Sequence, residues 1–279
     1  MIRWRQVSDG HQAPLVALHT WHLDEKHYDV LAQTLGDRPV FSVLPPETDG
    51  ILPRRVDEWV DHVLTVLDEL PVDPPYRLIG WSFGGVVAVE TARRLIASGT
   101  PVAFVGMIDT IRPKLRPLSA SEYAWYHLGE ALGIPDERQR IRYLSRKGLG
   151  FLDRRFPVAG GAAQRALRLA RPREEANTQR PKPPKSKPRQ PLKVSIHVSY
   201  LNYRGQGVDF PVSMYATASS CARANAPALR WAGWLQAGYE FVMIPGDHFS
   251  LFERGNVEIF AGALQRSLDI AESASAPLG

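Results

Sequence analysis

Gly80-Trp81-Ser82-Phe83-Gly84 sets a serine between two glycines where the apolar run Tyr76–Gly80 gives way to a helical pattern, Val86–Ala97. A strand that turns this sharply into a helix strains its central residue and crowds the positions two away on either side. Gly80 and Gly84 remove the Cβ atoms that would collide there, and Gly85 follows directly behind. The Ser82 hydroxyl then projects above the sheet. The helix behind it aims its first N–H groups at the same point, where they favour developing negative charge. The chemistry this suits is nucleophilic attack on an acyl group, with the backbone N–H of Phe83 as one oxyanion donor. Five residues alone are a weak signal, because small residues are common in turns. The preceding strand and the following helix give the motif its specificity.

A serine hydroxyl needs a base. Of the eight histidines, His11 lies in the N-terminal region, expected to be frayed, and His62 and His127 fall within helical patterns, where a packed or solvated ring is the plain reading. His248 differs. It sits in IPGDHFSLF, just past the run YEFVMI, at a Pro-Gly turn that can swing a side chain over a sheet edge. For the acid, Asp109 ends VAFVGMID, the strand that follows the serine's helix, and Asp247 is the competitor beside the histidine. Adjacent parallel strands place their C-terminal ends on one edge, where open α/β sheets carry their sites. Neighbouring residues usually point apart, which ranks Asp109 ahead of Asp247. The acid would hold the imidazole tautomer and stabilise the imidazolium.

The elements that must position these groups alternate. Leu15–His19 and Val40–Leu44 read as strands, with apolar residues at helical spacing between them over Asp24–Leu35. Val56–Leu70 is an amphipathic helix, Tyr76–Gly80 and Val102–Ile108 are buried strands, and Gly99 is a stop for the helix between them. Alternation resumes with Val212–Thr217, a helix within Ala224–Leu235, the strand Tyr239–Ile244 and a last helix, Asn256–Ala271. This order predicts an α/β fold, a mostly parallel sheet flanked by helices. Residues 1–109 and 210–279 form its core. Residues 110–209 interrupt the pattern as an insertion containing helical pieces, Ser121–Leu132 and Arg138–Leu149, and the Pro- and Lys-rich run RPREEANTQRPKPPKSKPRQP. Such a run buries little apolar area and is expected to be mobile.

Composition narrows the function classes. The net charge is +5, but residues 171–193 hold eight basic side chains against two acidic ones, so that segment nets +6 and the remainder −1. One local run therefore explains the basic balance, which argues against a nucleic-acid-binding domain. The single cysteine, Cys221, excludes an intrachain disulfide and suits a reducing compartment. No apolar run is long enough to span a bilayer and the N-terminus lacks a signal-peptide core, so the expectation is a cytoplasmic protein. No metal site is read from the sequence.

GWSFGG, MIDT with Asp109 27 residues after Ser82, and PGDHFSLF near the end together resemble the thioesterase domains of polyketide and non-ribosomal peptide synthetases, including their stand-alone relatives. The resemblance runs from about Leu15 to Leu268, broken by the insertion. It implies an α/β-hydrolase fold with a helical lid at 110–209, with Ser82 as nucleophile, Asp109 as acid and His248 as base. The segment YLNYRGQGVDFPVSMYAT is similar to the family's return from lid to core. One stretch departs from the family: the loop after the first core strand often carries proline and glycine, and here it reads LHTWHLDEKHYDVLAQTL, with neither. Tyr28 and Leu35 still fit the family's register. By position the N–H of Trp21 becomes the second oxyanion donor, with Thr20 beside it, and His19 and His22 either line the substrate channel or pack within the loop.

The resemblance further implies a substrate held as a thioester on the phosphopantetheine arm of an acyl or peptidyl carrier protein, with no cofactor bound to the enzyme itself. Acyl transfer to Ser82 would be followed by water, giving an acid, or by an internal nucleophile, giving a ring. The basic 171–193 segment is read first as a solvated loop and alternatively as a docking face for an acidic carrier. A general carboxylesterase or lipase would share the three residues without a reason for the 27-residue spacing, and a non-catalytic hydrolase-fold binder would have no reason to keep all three. Met1 and the compact length suit a separate polypeptide, and an excised terminal domain would look the same.

Overall fold

The computed structural model describes residues 3–18, 26–46, 53, 55–113 and 192–275. Seven strands form one sheet among them: β1 (Trp4–Ser8), β2 (Leu15–Leu18), β3 (Val40–Val43), β4 (Tyr76–Trp81), β5 (Val102–Ile108), β6 (Val212–Thr217) and β7 (Tyr239–Ile244). Their order is β1-β3-β2-β4-β5-β6-β7, with every neighbouring pair parallel except β1–β3. The helices are α1 (Lys26–Leu35), α2 (Val56–Leu67), α3 (Phe83–Ala97), α4 (Leu192–Asn202), α5 (Ala218–Ala224) and α6 (Asn256–Ser275).

Period-two alternation explains how a strand as short as β2 can be wholly buried. Val16 and Leu18 face a core shared with Trp59 and Val63 of α2 and Val87 of α3, while Leu15 and Ala17 face a second core with Leu31 of α1 and Phe260 and Leu264 of α6. The sheet is thus apolar on both faces, as helices on both sides require. The strand order reverses between β2 and β4: the chain runs from β2 outward to β3, then returns to β4 and proceeds the other way through β5, β6 and β7. Open α/β sheets hold their sites above such a reversal, at the strands' C-terminal ends.

Several elements differ from the sequence reading. The N-terminal region is not frayed: β1 pairs with β3, and His11 Nδ1 lies 2.9 Å from Asp37. The strand escaped notice because WRQVS has only partial alternation and sits on the sheet edge. The helix expected within Ala224–Leu235 instead occupies Ala218–Ala224, since Thr217 caps it by accepting the Ser220 N–H and Asn225 ends it in a left-handed conformation. Pro227 then starts a short 3-10 turn through Arg230.

By its internal contacts the chain divides into one unit of Met1–Pro113 and Ser186–Gly279 and a second of Lys114–Lys185. α4, which falls within residues 110–209, groups with the first of these units. Within that unit Trp59 Nε1 donates to Ser199 Oγ at 3.0 Å, and Ile196 is fully buried. The helical pieces expected over 121–132 and 138–149 and the basic run to residue 191 lie outside the described residues. Within the described residues, no helix is long and apolar enough to cross a membrane.

Candidate active site

Ser82 stands between β4 and α3 with φ 57° and ψ −118°, a backbone that L-residues avoid and that persists only where its surroundings enforce it. Two contacts enforce it here. The Ser82 N–H donates to the Ile108 carbonyl at 2.8 Å, and the Gly85 N–H donates to the Ser82 carbonyl at 3.2 Å. The glycine requirement is steric: a Cβ at Gly80 would lie 2.0 Å from the Gly84 carbonyl oxygen. Gly85 is equally constrained, because a Cβ there would lie 2.0 Å from Thr110 Oγ1. The sequence reading placed Gly85 behind the turn without giving it a part, since its neighbour Thr110 arrives from another strand. Ser82 remains partly exposed, while Phe83 is buried and packs edge-on against Trp59 with ring centroids 5.8 Å apart. Phe83 opens the helix, so its N–H is one of those without an intrahelical acceptor.

Asp109 follows β5. Its N–H donates to the Tyr215 carbonyl at 2.7 Å, which continues the β5–β6 ladder, and its φ of 48° turns the carboxylate back over the sheet edge. The carboxylate is buried and fully engaged. Oδ1 accepts the Thr217 N–H at 2.9 Å and the Thr217 hydroxyl at 3.1 Å; Oδ2 accepts the Ser220 hydroxyl at 2.5 Å and meets His248 Nδ1 at 2.6 Å. Burial is the largest single influence and pushes its pKa up. The hydrogen bonds from His248, Ser220 and the Thr217 amide, with the nearby imidazole's charge, together outweigh burial and hold the carboxyl below its ordinary value. Thr217 and Ser220 escaped the sequence reading because the helix carrying Ser220 was expected to begin later. The run TASS, with a threonine at the cap, is the signal that could have found them.

His248 lies in the turn after β7. Its ring stacks at 5.1 Å and 38° on Trp81, the residue before Ser82, and meets Phe249 edge-on at 5.2 Å. An ionised Asp109 that already accepts a hydroxyl at Oδ2 can only accept again, so His248 Nδ1 carries the hydrogen there, and in the neutral ring the lone pair then falls on Nε2. That is the tautomer a general base needs. Asp247, the competing acid, has another task. Its Oδ1 accepts the N–H groups of Phe249 and Ser250, at 2.9 Å each, so it holds the turn that leads into Ser250–Phe252.

The structure thus brings Asp109 and His248 into contact and sets His248 against the residue preceding Ser82. His19, Thr20, Trp21 and His22 lie outside the described residues. His62 is a packed side chain, its Nε2 2.7 Å from the Leu44 carbonyl. Among the described residues no group of three His, Cys, Asp or Glu side chains converges as metal ligands would.

Residues 13–125 match the family model described as thioesterase domain. The chain is similar to thioesterase domains. Among curated proteins, it is 45% identical over 112 residues to enterobactin synthase component F of Escherichia coli (strain K12), covering 39% of this chain and 9% of that protein. Against vanchrobactin synthetase VabF of Vibrio anguillarum it is 36% identical over 81 residues, covering 28% of this chain and 3% of the relative. The chain therefore matches less than a tenth of the length of these relatives. Among solved structures, the NocB thioesterase domain from the nocardicin cluster superposes with a TM-score of 0.60 at 20% identity, covering 96% of this chain and 99% of that one. That superposition carries the α/β-hydrolase fold of the thioesterase domains.

Proposed function

We propose that the chain is a serine thioesterase that releases an acyl or peptidyl group from the phosphopantetheine thioester of a carrier protein. The observation that carries the chemistry is the 2.6 Å contact between His248 Nδ1 and Asp109 Oδ2, formed beside a strained serine elbow. The match of residues 13–125 to the thioesterase-domain family supports the choice of thioester over other acyl compounds.

In this reading Ser82 Oγ attacks the thioester carbonyl while His248 Nε2 takes its proton. Asp109 stays ionised and stabilises the imidazolium, which its hydrogen bonds from Ser220 and Thr217 equip it to do. The Phe83 N–H receives the oxyanion, with Trp21 N–H as the second donor. Collapse breaks the C–S bond, and the imidazolium passes its proton to the departing thiolate, giving an acyl-Ser82 ester and a free pantetheine thiol. Water or an internal hydroxyl or amine, deprotonated by the same imidazole, then displaces Ser82 and releases an acid or a ring.

The test uses acyl-pantetheine thioesters of several chain types with wild type, Ser82→Ala and His248→Ala, reading products by mass. Wild type turns thioesters over and carries one acyl or fluorophosphonate adduct on Ser82; both variants lose turnover with melting temperatures kept. Faster turnover of p-nitrophenyl esters than of any thioester would assign the protein to the carboxylesterases instead. An unlabelled Ser82 would leave a non-catalytic binder.

A further inference from the structure

The ladder between β2 and β4 ends in an unusual way. Its register pairs Val16 with Leu78, Ala17 with Ile79 and Leu18 with Gly80. Beyond Gly80 the even positions turn toward β5, since the Ser82 N–H donates to Ile108. Trp81 is therefore the donor due to face β2, and a parallel ladder in this register would carry its N–H to the Leu18 carbonyl. The bond is not direct. The Trp81 N–H donates to the Tyr28 hydroxyl at 3.1 Å, and that hydroxyl donates to the Leu18 carbonyl at 2.7 Å. One phenol oxygen is spliced into the sheet, at the point where the strand order reverses.

The insertion is one-sided. Across β4 the pairing with β5 continues to Trp81–Ile108, so the elbow is joined to β5 directly, while its link to the end of β2 runs through Tyr28. The phenol is well held. It comes from the first turn of α1, is 4% exposed, and packs edge-on against Phe252 at 6.2 Å. Burial raises its pKa well above the ordinary phenol value, which keeps it a neutral O–H, able to donate and accept together.

We propose that Tyr28 is a positioning residue: its hydroxyl holds the ends of β2 and β4 apart and so fixes where Ser82 and the Phe83 amide sit relative to the end of β2. This rests on the acyl-transfer reading above. Without the hydroxyl, the Trp81 N–H and Leu18 carbonyl either close on each other, drawing the strand ends together, or lose their partner. Each outcome moves the elbow, and a displacement of about 1 Å at a reacting centre costs on the order of 100-fold in rate.

Tyr28→Phe keeps the ring and removes the oxygen. Tyr76→Phe, at the opposite end of β4, is the control for losing a phenol oxygen near a strand. Both are compared with wild type on one acyl-pantetheine thioester, well below their melting temperatures. Rates are expressed per fluorophosphonate-titratable Ser82, so that unfolded molecules do not count. We expect kcat of Tyr28→Phe to fall about 10- to 100-fold, KM to stay within about twofold and the pH profile to keep its shape, because the Asp109–His248 pair is untouched. Tyr76→Phe should match wild type. A Tyr28→Phe enzyme with wild-type kcat overturns the inference while leaving the thioesterase reading intact, and so does a fall that Tyr76→Phe reproduces. A wild type that neither turns over thioesters nor takes the label overturns both.

Discussion

Asp109 is the residue on which the site's electrostatics converge. A buried carboxylate is costly unless it is paired and hydrogen-bonded, and this one accepts four bonds, from Thr217 twice, Ser220 and His248. Its pKa is held below the ordinary value, so it binds its proton less readily folded than unfolded. The stability this confers is present above the unfolded aspartate value, about 3.9, and is lost as the pH falls through the lower folded one. Ser220→Ala removes one of the bonds that lower the pKa. At pH 7 the variant should be less stable by about 1.5–3 kcal/mol, the range for a hydrogen bond to a charged group. That gap should narrow as the pH falls through the folded-state values of Asp109, the wild type's lying below the ordinary aspartate range. The bond from Arg223 to Ser220, 2.9 Å long, leaves a residual difference that does not depend on pH in this range. Thermal melts of the two proteins from pH 7 to pH 3 check this. A gap of constant size would mean that Ser220 packs beside Asp109 without stabilising its charge.

At the scale of elements, the site is a meeting of strand ends, and its tolerance depends on what each glycine faces. At Gly80 the obstruction is the Gly84 backbone, 2.0 Å from where a Cβ would be. At Gly85 it is chiefly a side-chain oxygen, Thr110 Oγ1, with Thr110 Cβ at 2.9 Å. Each alanine should destabilise by about 1–3 kcal/mol or more, but only one can be relieved. Adding Thr110→Ala should recover part of the loss in Gly85→Ala and none in Gly80→Ala, a coupling that a double-mutant cycle of melting temperatures measures. The same distinction separates what could be read in the sequence from what could not. The elbow, β5 with Asp109 at its end, and the Pro-Gly turn bearing His248 were legible because each is a local pattern: a glycine spacing, an apolar run, a turn. Short apolar runs also sufficed to place six of the seven strands among the described residues. Gly85, Thr217, Ser220 and Tyr28 were not legible as site residues, because their roles depend on partners from other elements. Thr110 lies on a neighbouring strand's exit, Asp109 is over 100 positions from Thr217, and Tyr28 spans two strand ends. The membership of α4 in the core was hidden for a similar reason: the helix follows a basic, proline-rich run, and its partners, among them Trp59, Pro53 and Ile111, are distant in sequence.

At the scale of the whole molecule, the charge is lopsided. Residues 171–193 net +6 and the remainder nets −1, so that segment is the main concentration of positive charge along the sequence and the first origin to test for long-range attraction of an acidic partner. The thioesterase reading gives such a partner a place, since the pantetheine arm is brought by a carrier protein. Charged surfaces steer association from beyond contact distance, and salt at about 0.15 M screens them over roughly 8 Å. The acyl-transfer step itself is different: Asp109 is buried, and the pair it forms with His248 is shielded from the bulk. Raising salt from about 50 to 300 mM should therefore raise KM several-fold for a carrier-borne thioester and leave kcat unchanged. The same acyl group on free pantetheine should show neither effect. Neutralising Lys182, Lys185, Lys187 and Arg189 to glutamine leaves the segment at +2, and should weaken the salt dependence with the carrier while leaving the free thioester's turnover as it was. A carrier KM indifferent to salt, in wild type and variant alike, would assign these charges to solvation of the segment. The opposite pattern, salt dependence on the free thioester, would place the sensitive charges beside the site and count against a role for 171–193 in docking.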